Sequence, residues 1–392
     1  MRPTPSRRLF VTALLAAPAL ASAPARAAGT ARSADDYPPD GLGPELTARL
    51  DRAVEDVRLQ AAIPGVVVGL WLPGRGSYVR ATGVADTATG TPMTTDLLVR
   101  IGSETKTFTV TALLQLVDDG LIGLDDPVSA YIDGVPCGDR ITLRQLAEMR
   151  SGLFPYTSDP DFIRALESDP SRFFTPQEVL AYGFRHQNTF GPGERFEYCN
   201  SNLVLLGLVV EKVSGHSLVD VIHRRVLRPT GLHRTLFPTG PGFPEPHARG
   251  YTDQTPDGGI ADATDWNPSW AWAAGAMISG LHDLRRWAEI VAVGTLLSPQ
   301  TQCERLKVLP TGFPGTNYGL GIFETGGWIG HNGSIPGYET VTVHLPAQRA
   351  TLVIMINTDI FSQGQEPSTL LARAVTEIVT PDNVYDRPVP PR

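Results

Sequence analysis

Strand-like segments stand at both ends of this chain and the stretch between them is helical, an order that excludes a repeating βαβ sheet. Leu46, Leu50, Val54 and Val57 recur at helical spacing between Pro44 and Ala61. Two strand-like runs follow, at 65–72 and 77–84, separated by the hairpin signal Pro73-Gly74-Arg75-Gly76. Residues 97–101 read as another short strand, and 103–117 turns helical with Phe108, Leu113, Leu114 and Leu116 on or near its apolar side. Helices are expected at 143–149, 175–185, 202–213 and 218–227. Strand composition then returns at 318–323, 327–331, 340–345 and 351–356, with helices at 281–293 and 368–378. The sequence therefore predicts an α+β fold: one antiparallel sheet built from both ends of the chain, flanked by helices, with an all-helical subdomain leaning on it. The α/β part spans about 44–102 and 240–380, and the helical part about 103–239. A cleft where the two meet is the natural place for a substrate.

With 392 residues, 42% of them hydrophobic, the chain can bury a large core. Its 33 basic and 41 acidic residues leave a charge of −8, which provides no basic face for nucleic acid. Arg2, Arg7 and Arg8, the uncharged run 9–25 and the small-x-small triplet Ala25-Arg26-Ala27 read as a signal peptide over 1–27. Ser6-Arg7-Arg8-Leu9-Phe10 is similar to a twin-arginine export signal, with general secretion as the alternative. Residues 28–43 form a flexible lead-in and 381–392 a tail. The expected product is a secreted monomer without a stable membrane anchor. Cys137, Cys199 and Cys303 allow one disulfide at most. No metal-ligand spacing is present, and no cofactor is expected.

Three short motifs carry chemistry. In Ser103-Glu104-Thr105-Lys106, positions i and i+3 share a helix face, so a hydroxyl can meet an amine. A serine hydroxyl needs a nearby base, and a lysine serves if burial lowers its pKa. The chain has only three lysines (Lys106, Lys212 and Lys307), and this is its single Ser-x-x-Lys. Tyr198-Cys199-Asn200 follows the turn-rich 190–194 and offers a phenol to share the proton; a phenolate is favoured if cations flank it. Its asparagine amide can both donate to and accept from a substrate amide. Cys199 reads as a packing residue. In His331-Asn332-Gly333-Ser334, Gly333 permits close backbone approach, Ser334 offers an N–H, and His331 presents a cation or a neutral donor to the same pocket.

The order of these motifs, each occurring once after the leader, resembles the penicillin-binding-protein and β-lactamase superfamily, peptidase family S12. The resemblance extends to Arg150-Ser151-Gly152-Leu153, to Ser269-Trp270-Ala271 leading into 274–279, and to Tyr318-Gly319-Leu320-Gly321, stretches similar to secreted D-alanyl-D-alanine carboxypeptidases and class C-type hydrolases. It covers about 44–380 and implies a β-lactamase/transpeptidase-like fold. It also implies an acyl-enzyme on Ser103, with Lys106 and Tyr198 moving its proton and the N–H groups of Ser103 and Ser334 holding the oxyanion. Asn200 would orient the substrate and Trp270 would wall the cleft; His331 and Gly333 complete the expected substrate-binding set. Peptide, amide, ester and β-lactam substrates all fit that implication. A β-lactamase and a non-catalytic penicillin-binding sensor stand as alternatives.

One departure is visible. Carboxypeptidases of this kind place an arginine just after the Tyr-Gly-Leu-Gly-Leu stretch, whereas here Ile322, Phe323 and Glu324 follow and no Lys or Arg occurs from Val308 to Gln348. Either the substrate lacks a carboxylate at that point, or Glu324 faces the cleft and holds a substrate ammonium. The plainer alternative makes Glu324 a solvated turn residue. No Gly-x-Ser-x-Gly elbow is present, which excludes an α/β-hydrolase.

Overall fold

The structure, a computed structural model, describes residues 41–387. The expected leader at 1–27, most of the lead-in and the last five residues of the tail lie outside the described residues.

Nine antiparallel strands form one sheet, ordered Thr91–Pro92, Gly76–Asp86, Gly65–Leu72, Ala350–Ile356, Tyr338–Leu345, Trp328–Ile335, Phe323–Thr325, Thr316–Tyr318 and Leu309–Pro310. The N-terminal hairpin joins the C-terminal strands through Gly65–Leu72 against Ala350–Ile356, in the register Val66 to Ile356 and Leu70 to Leu352. The central strands are apolar along their whole length because both faces are covered. Period-two alternation divides each between two cores. Val66, Val68, Leu70, Leu352, Ile354 and Ile356 pack with Leu50, Val54, Leu371 and Val375 of the helices Pro44–Gln60 and Pro367–Val379. Val67, Trp71, Val353 and Met355 face the other way, toward the helix Leu281–Val293 and the helical part of the chain. Both terminal helices open on proline, which suits a first turn that needs no backbone donor.

The middle of the chain contributes no strand to this sheet between residues 93 and 308. Its central pair is Thr105–Asp118 against Asn200–Ser214. Thr105–Asp118 is buried on nearly all sides although every second residue in its first half is threonine. It tolerates this because the hydroxyls find acceptors: Thr107 donates to the Glu104 carbonyl at 2.7 Å, Thr109 to the Ala273 carbonyl at 2.8 Å and Thr111 to the Thr107 carbonyl at 2.6 Å. The 202–213 expectation begins two residues late, since the helix starts at Asn200. The 318–323 strand is two strands, Thr316–Tyr318 and Phe323–Thr325, separated by a loop with Gly321 at φ +68°. The helices Pro160–Ser168 and Pro299–Arg305 were not anticipated.

Two of the expected turn assignments change. His331 to Ser334 are interior residues of the strand Trp328–Ile335, not its end. Glu324 is a strand residue whose Oε2 accepts from Asn317 Nδ2 at 2.7 Å and whose Oε1 accepts from the Gly327 N–H at 2.9 Å. It pins a hairpin and is neither a solvated turn residue nor available to an ammonium. Among the described residues no helix is long and apolar enough to cross a membrane. Cys137, Cys199 and Cys303 are all unpaired.

Candidate active site

Ser103 sits in a single 3₁₀ turn, Gly102–Glu104, that leads into the buried helix Thr105–Asp118. Two glycines allow that turn to press against the strand Trp328–Ile335. Gly102 adopts φ +47°, and a Cβ there would lie 2.7 Å from the Ser334 backbone nitrogen. A Cβ on Gly333 would lie 1.9 Å from the Ile101 carbonyl oxygen. The close approach fixes the distance between the nucleophile's turn and Ser334. Gly333→Ala is therefore expected to shift the urea midpoint by an amount equivalent to about 1–3 kcal/mol and to depress activity with it. An unchanged midpoint would mean that the two backbones have room to part.

The Lys106 amine donates to Ser103 Oγ at 2.8 Å and to the Ala274 carbonyl at 2.7 Å. It is wholly buried, and burial holds its pKa well below that of an ordinary lysine. An amine of lowered pKa 2.8 Å from a hydroxyl is placed to act as its base. Its nitrogen lies 4.9 Å from the centre of the Tyr198 ring. Burial drives the Tyr198 phenol up, more than its hydrogen bond with Ser103 pulls it down. The resting phenol is thus protonated, the reverse of the phenolate that flanking cations would favour. Cys199 behind it is pushed up to about 11 by burial and donates its thiol to the Leu153 carbonyl at 3.3 Å, as a packing residue would.

A cavity of about 210 Å³ opens over Ser103. Tyr198, Asn200 and Ser334 line it, with Phe196 and Phe323 as aromatic wall. Asn200 Oδ1 is buried there without a protein partner, an acceptor left for a ligand N–H. Two expected residues are elsewhere. Trp270 packs beside Phe162, ring centres 6.0 Å apart, and its carbonyl accepts from Tyr156 OH at 2.7 Å; it is not part of the cavity wall. His331 is 1% exposed and does not line the cavity. Its Nδ1 donates to the Asn332 carbonyl at 2.5 Å, which leaves Nε2 to accept from Tyr318 OH at 3.2 Å. Burial keeps its pKa far down, so it is neutral and not a cation. It backs Tyr198, ring centres 6.2 Å apart.

Asn332, Glu366 and Arg387, none of which the sequence assigns a role, also line the wall, as do Phe313 and Thr316. Asn332 is the neighbour of His331 on the opposite face of its strand. Arg387, from the chain's tail, puts a cation on this wall. It pairs with Glu366 and lies 5.1 Å from the Phe323 ring centre.

A serine turn, a buried amine and a phenol at the junction of an antiparallel sheet and a helical layer define the serine acyl-transfer class. Residues 50–376 match the Beta-lactamase family model, and the chain belongs to that family of serine hydrolases. It is 31% identical over 324 residues to a D-aminopeptidase of Brucella anthropi, covering 79% of this chain and 59% of that protein. The chain thus spans less than three-fifths of the length of that curated relative. Among solved structures, a D-stereospecific amidohydrolase from Streptomyces sp. is 30% identical, with a TM-score of 0.76 over 84% of this chain and 97% of that one. A D-amino acid amidase from Ochrobactrum anthropi SV3, complexed with D-phenylalanine, is 28% identical with a TM-score of 0.78 over 86% and 99%.

Proposed function

We propose that this protein hydrolyses amide bonds of D-amino acid derivatives through an acyl-enzyme on Ser103. The observation that carries the reading is the Ser103 hydroxyl held 2.8 Å from a buried Lys106 amine, whose pKa burial lowers, with the Tyr198 phenol beside it. In the first half-reaction Ser103 Oγ attacks the acyl carbonyl as Lys106 takes the hydroxyl proton. The N–H groups of Ser103 and Ser334 receive the oxyanion, each contributing roughly 10²–10³ in rate. The C–N bond then breaks as Tyr198 gives its proton to the departing amine and recovers one from the Lys106 ammonium. Water, deprotonated by the same amine, releases the acyl group and restores Ser103.

The D-configuration is supported by the names of the similar proteins: a D-aminopeptidase, a D-stereospecific amidohydrolase and a D-amino acid amidase. The cavity supports a small substrate, since 210 Å³ falls below the roughly 300–1,000 Å³ of drug-sized pockets. The amino-terminal pattern supports export of the enzyme. A second reading rests on one observation: Arg387 could anchor the free carboxylate of a D-Ala-D-Ala terminus.

Initial rates on D-alanine amide, an N-acylated D-Ala-D-Ala peptide and phenyl acetate separate these readings. The expected order places D-alanine amide first by about tenfold or more, the value of about one hydrogen bond to a charged group. Preference for the N-acylated peptide would give the second reading the site. Hydrolysis of phenyl acetate alone would reduce the protein to an esterase.

A further inference from the structure

We propose that Glu366 receives the free α-ammonium of the substrate and so sets the specificity of the cleft, an inference that rests on the D-aminoacyl amidase reading above. Glu366 stands immediately before the helix Pro367–Val379, is 7% exposed, and shares a cavity with Ser103. Its hydrogen bonds gather on one oxygen. Oε2 accepts from Asn332 Nδ2 at 2.7 Å, from Thr369 Oγ1 at 3.4 Å and from Arg387 Nη2. Among the described residues none donates to Oε1. The carboxylate is thus held through one oxygen, by Thr369 and by two other residues of the cavity wall, Asn332 and Arg387, and its second oxygen has no protein donor.

The other buried acids near the nucleophile cannot take this role. Glu324 has both oxygens engaged in its hairpin. Glu104 points behind the nucleophile into a separate small void beside Thr107 and Trp287, and burial pushes it up to about 8. Glu339 is fully buried, and burial together with the neighbouring Glu366 raises its pKa, which leaves it protonated. Among the described residues Glu366 is the acid that lines the cavity.

The chemistry of the wall suits an ammonium. Such a group brings three donors and no acceptor, and stripped of water it needs acceptors on every side. The cavity offers Glu366 Oε1 and the unpartnered Asn200 Oδ1. Lys106 adds no repulsion while its amine is neutral. Arg387, on the same wall, does repel, but its guanidinium is already paired with Oε2. An ammonium nearer to Oε1 than to the guanidinium is attracted more than it is repelled, because the energy falls as the inverse of distance.

The test compares the full-length wild type, Glu366→Gln and Glu366→Asp on D-alanine amide, N-acetyl-D-alanine amide and phenyl acetate, with melting curves for each protein. Wild type should favour the free ammonium. Glu366→Gln should lose about 10²-fold or more in kcat/KM on D-alanine amide, chiefly through KM, and change little on the two neutral substrates. Glu366→Asp keeps the charge and should keep the preference. Equal losses on all three substrates, in Gln or in Asp, would make Glu366 a structural residue and overturn the proposal. So would a Gln variant that still favours the ammonium, because another group would then bind it; the amidase reading would survive. A wild type that favours the N-acetyl amide sinks the amidase reading, and the proposal with it.

Discussion

Ser103→Ala is expected to lower kcat on D-alanine amide by at least about 10⁴-fold, the scale seen when a catalytic nucleophile is removed from a serine hydrolase. The magnitude follows from what one oxygen does. It forms the covalent bond, it is the partner of the Lys106 amine at 2.8 Å, and it is bonded to the Tyr198 phenol. No neighbouring side chain can substitute, because Cys199 is held as a thiol by burial and its sulfur is turned toward Leu153. Stability should hardly change. Ser103 is only half-buried, and Lys106 keeps its bond to the Ala274 carbonyl, so the midpoint should stay within about 0.5–1 kcal/mol. Intact-mass analysis after fluorophosphonate treatment provides the parallel readout, with one adduct on wild type and none on the variant. Turnover by the variant within tenfold of wild type would remove Ser103 from the mechanism. Failure of wild type to form any adduct would favour the non-catalytic sensor.

The part of this site legible in the sequence is the part that lies close along the chain. Ser103 and Lys106 are three residues apart and come into register through one helical turn, so spacing alone pairs them. The sheet was legible for a similar reason. Gly65–Leu72 and Ala350–Ile356 are unbroken apolar runs, which only a strand covered on both faces can use. The orientation of His331 was not legible, because a strand turns alternate residues to opposite faces and a shift of one position exchanges them. His331 and Asn332 are adjacent, and only the folded pairing with 338–345 decides that Asn332 meets the cavity while His331 backs Tyr198. Glu366 and Arg387 were illegible for a further reason. One reads as an ordinary residue ahead of a helix and the other as part of a proline-rich tail; Glu366 pairs with Asn332 and with Arg387, 34 and 21 residues away along the chain. No Lys or Arg lies between 308 and 348, and the cation that lines the cavity, Arg387, comes from outside that window.

The same burial that makes Lys106 a base should be measurable as a pH dependence of folding. Inside the protein its amine is neutral well below 10.5, whereas in the unfolded chain it is an ammonium up to about that pH. Between the two values the unfolded state binds one more proton, so the Lys106 contribution to stability rises with pH across that window and is lost as pH falls toward the folded pKa. The slope is about 1.4 kcal/mol per pH unit. Glu104 and Glu339 act oppositely, because each keeps a proton in the fold that it loses when unfolded. Those contributions are common to wild type and Lys106→Met and cancel in the difference. The stability of wild type minus that of Lys106→Met is therefore expected to rise from pH 7 to pH 9, with a slope of at most about 1.4 kcal/mol per pH unit, read from urea curves at pH 7, 8 and 9. Methionine approximates the aliphatic stem, so the difference isolates the amine. A flat difference would mean that Lys106 is charged in the folded protein at pH 7. It could not then accept the Ser103 proton, and the general base would have to be sought elsewhere.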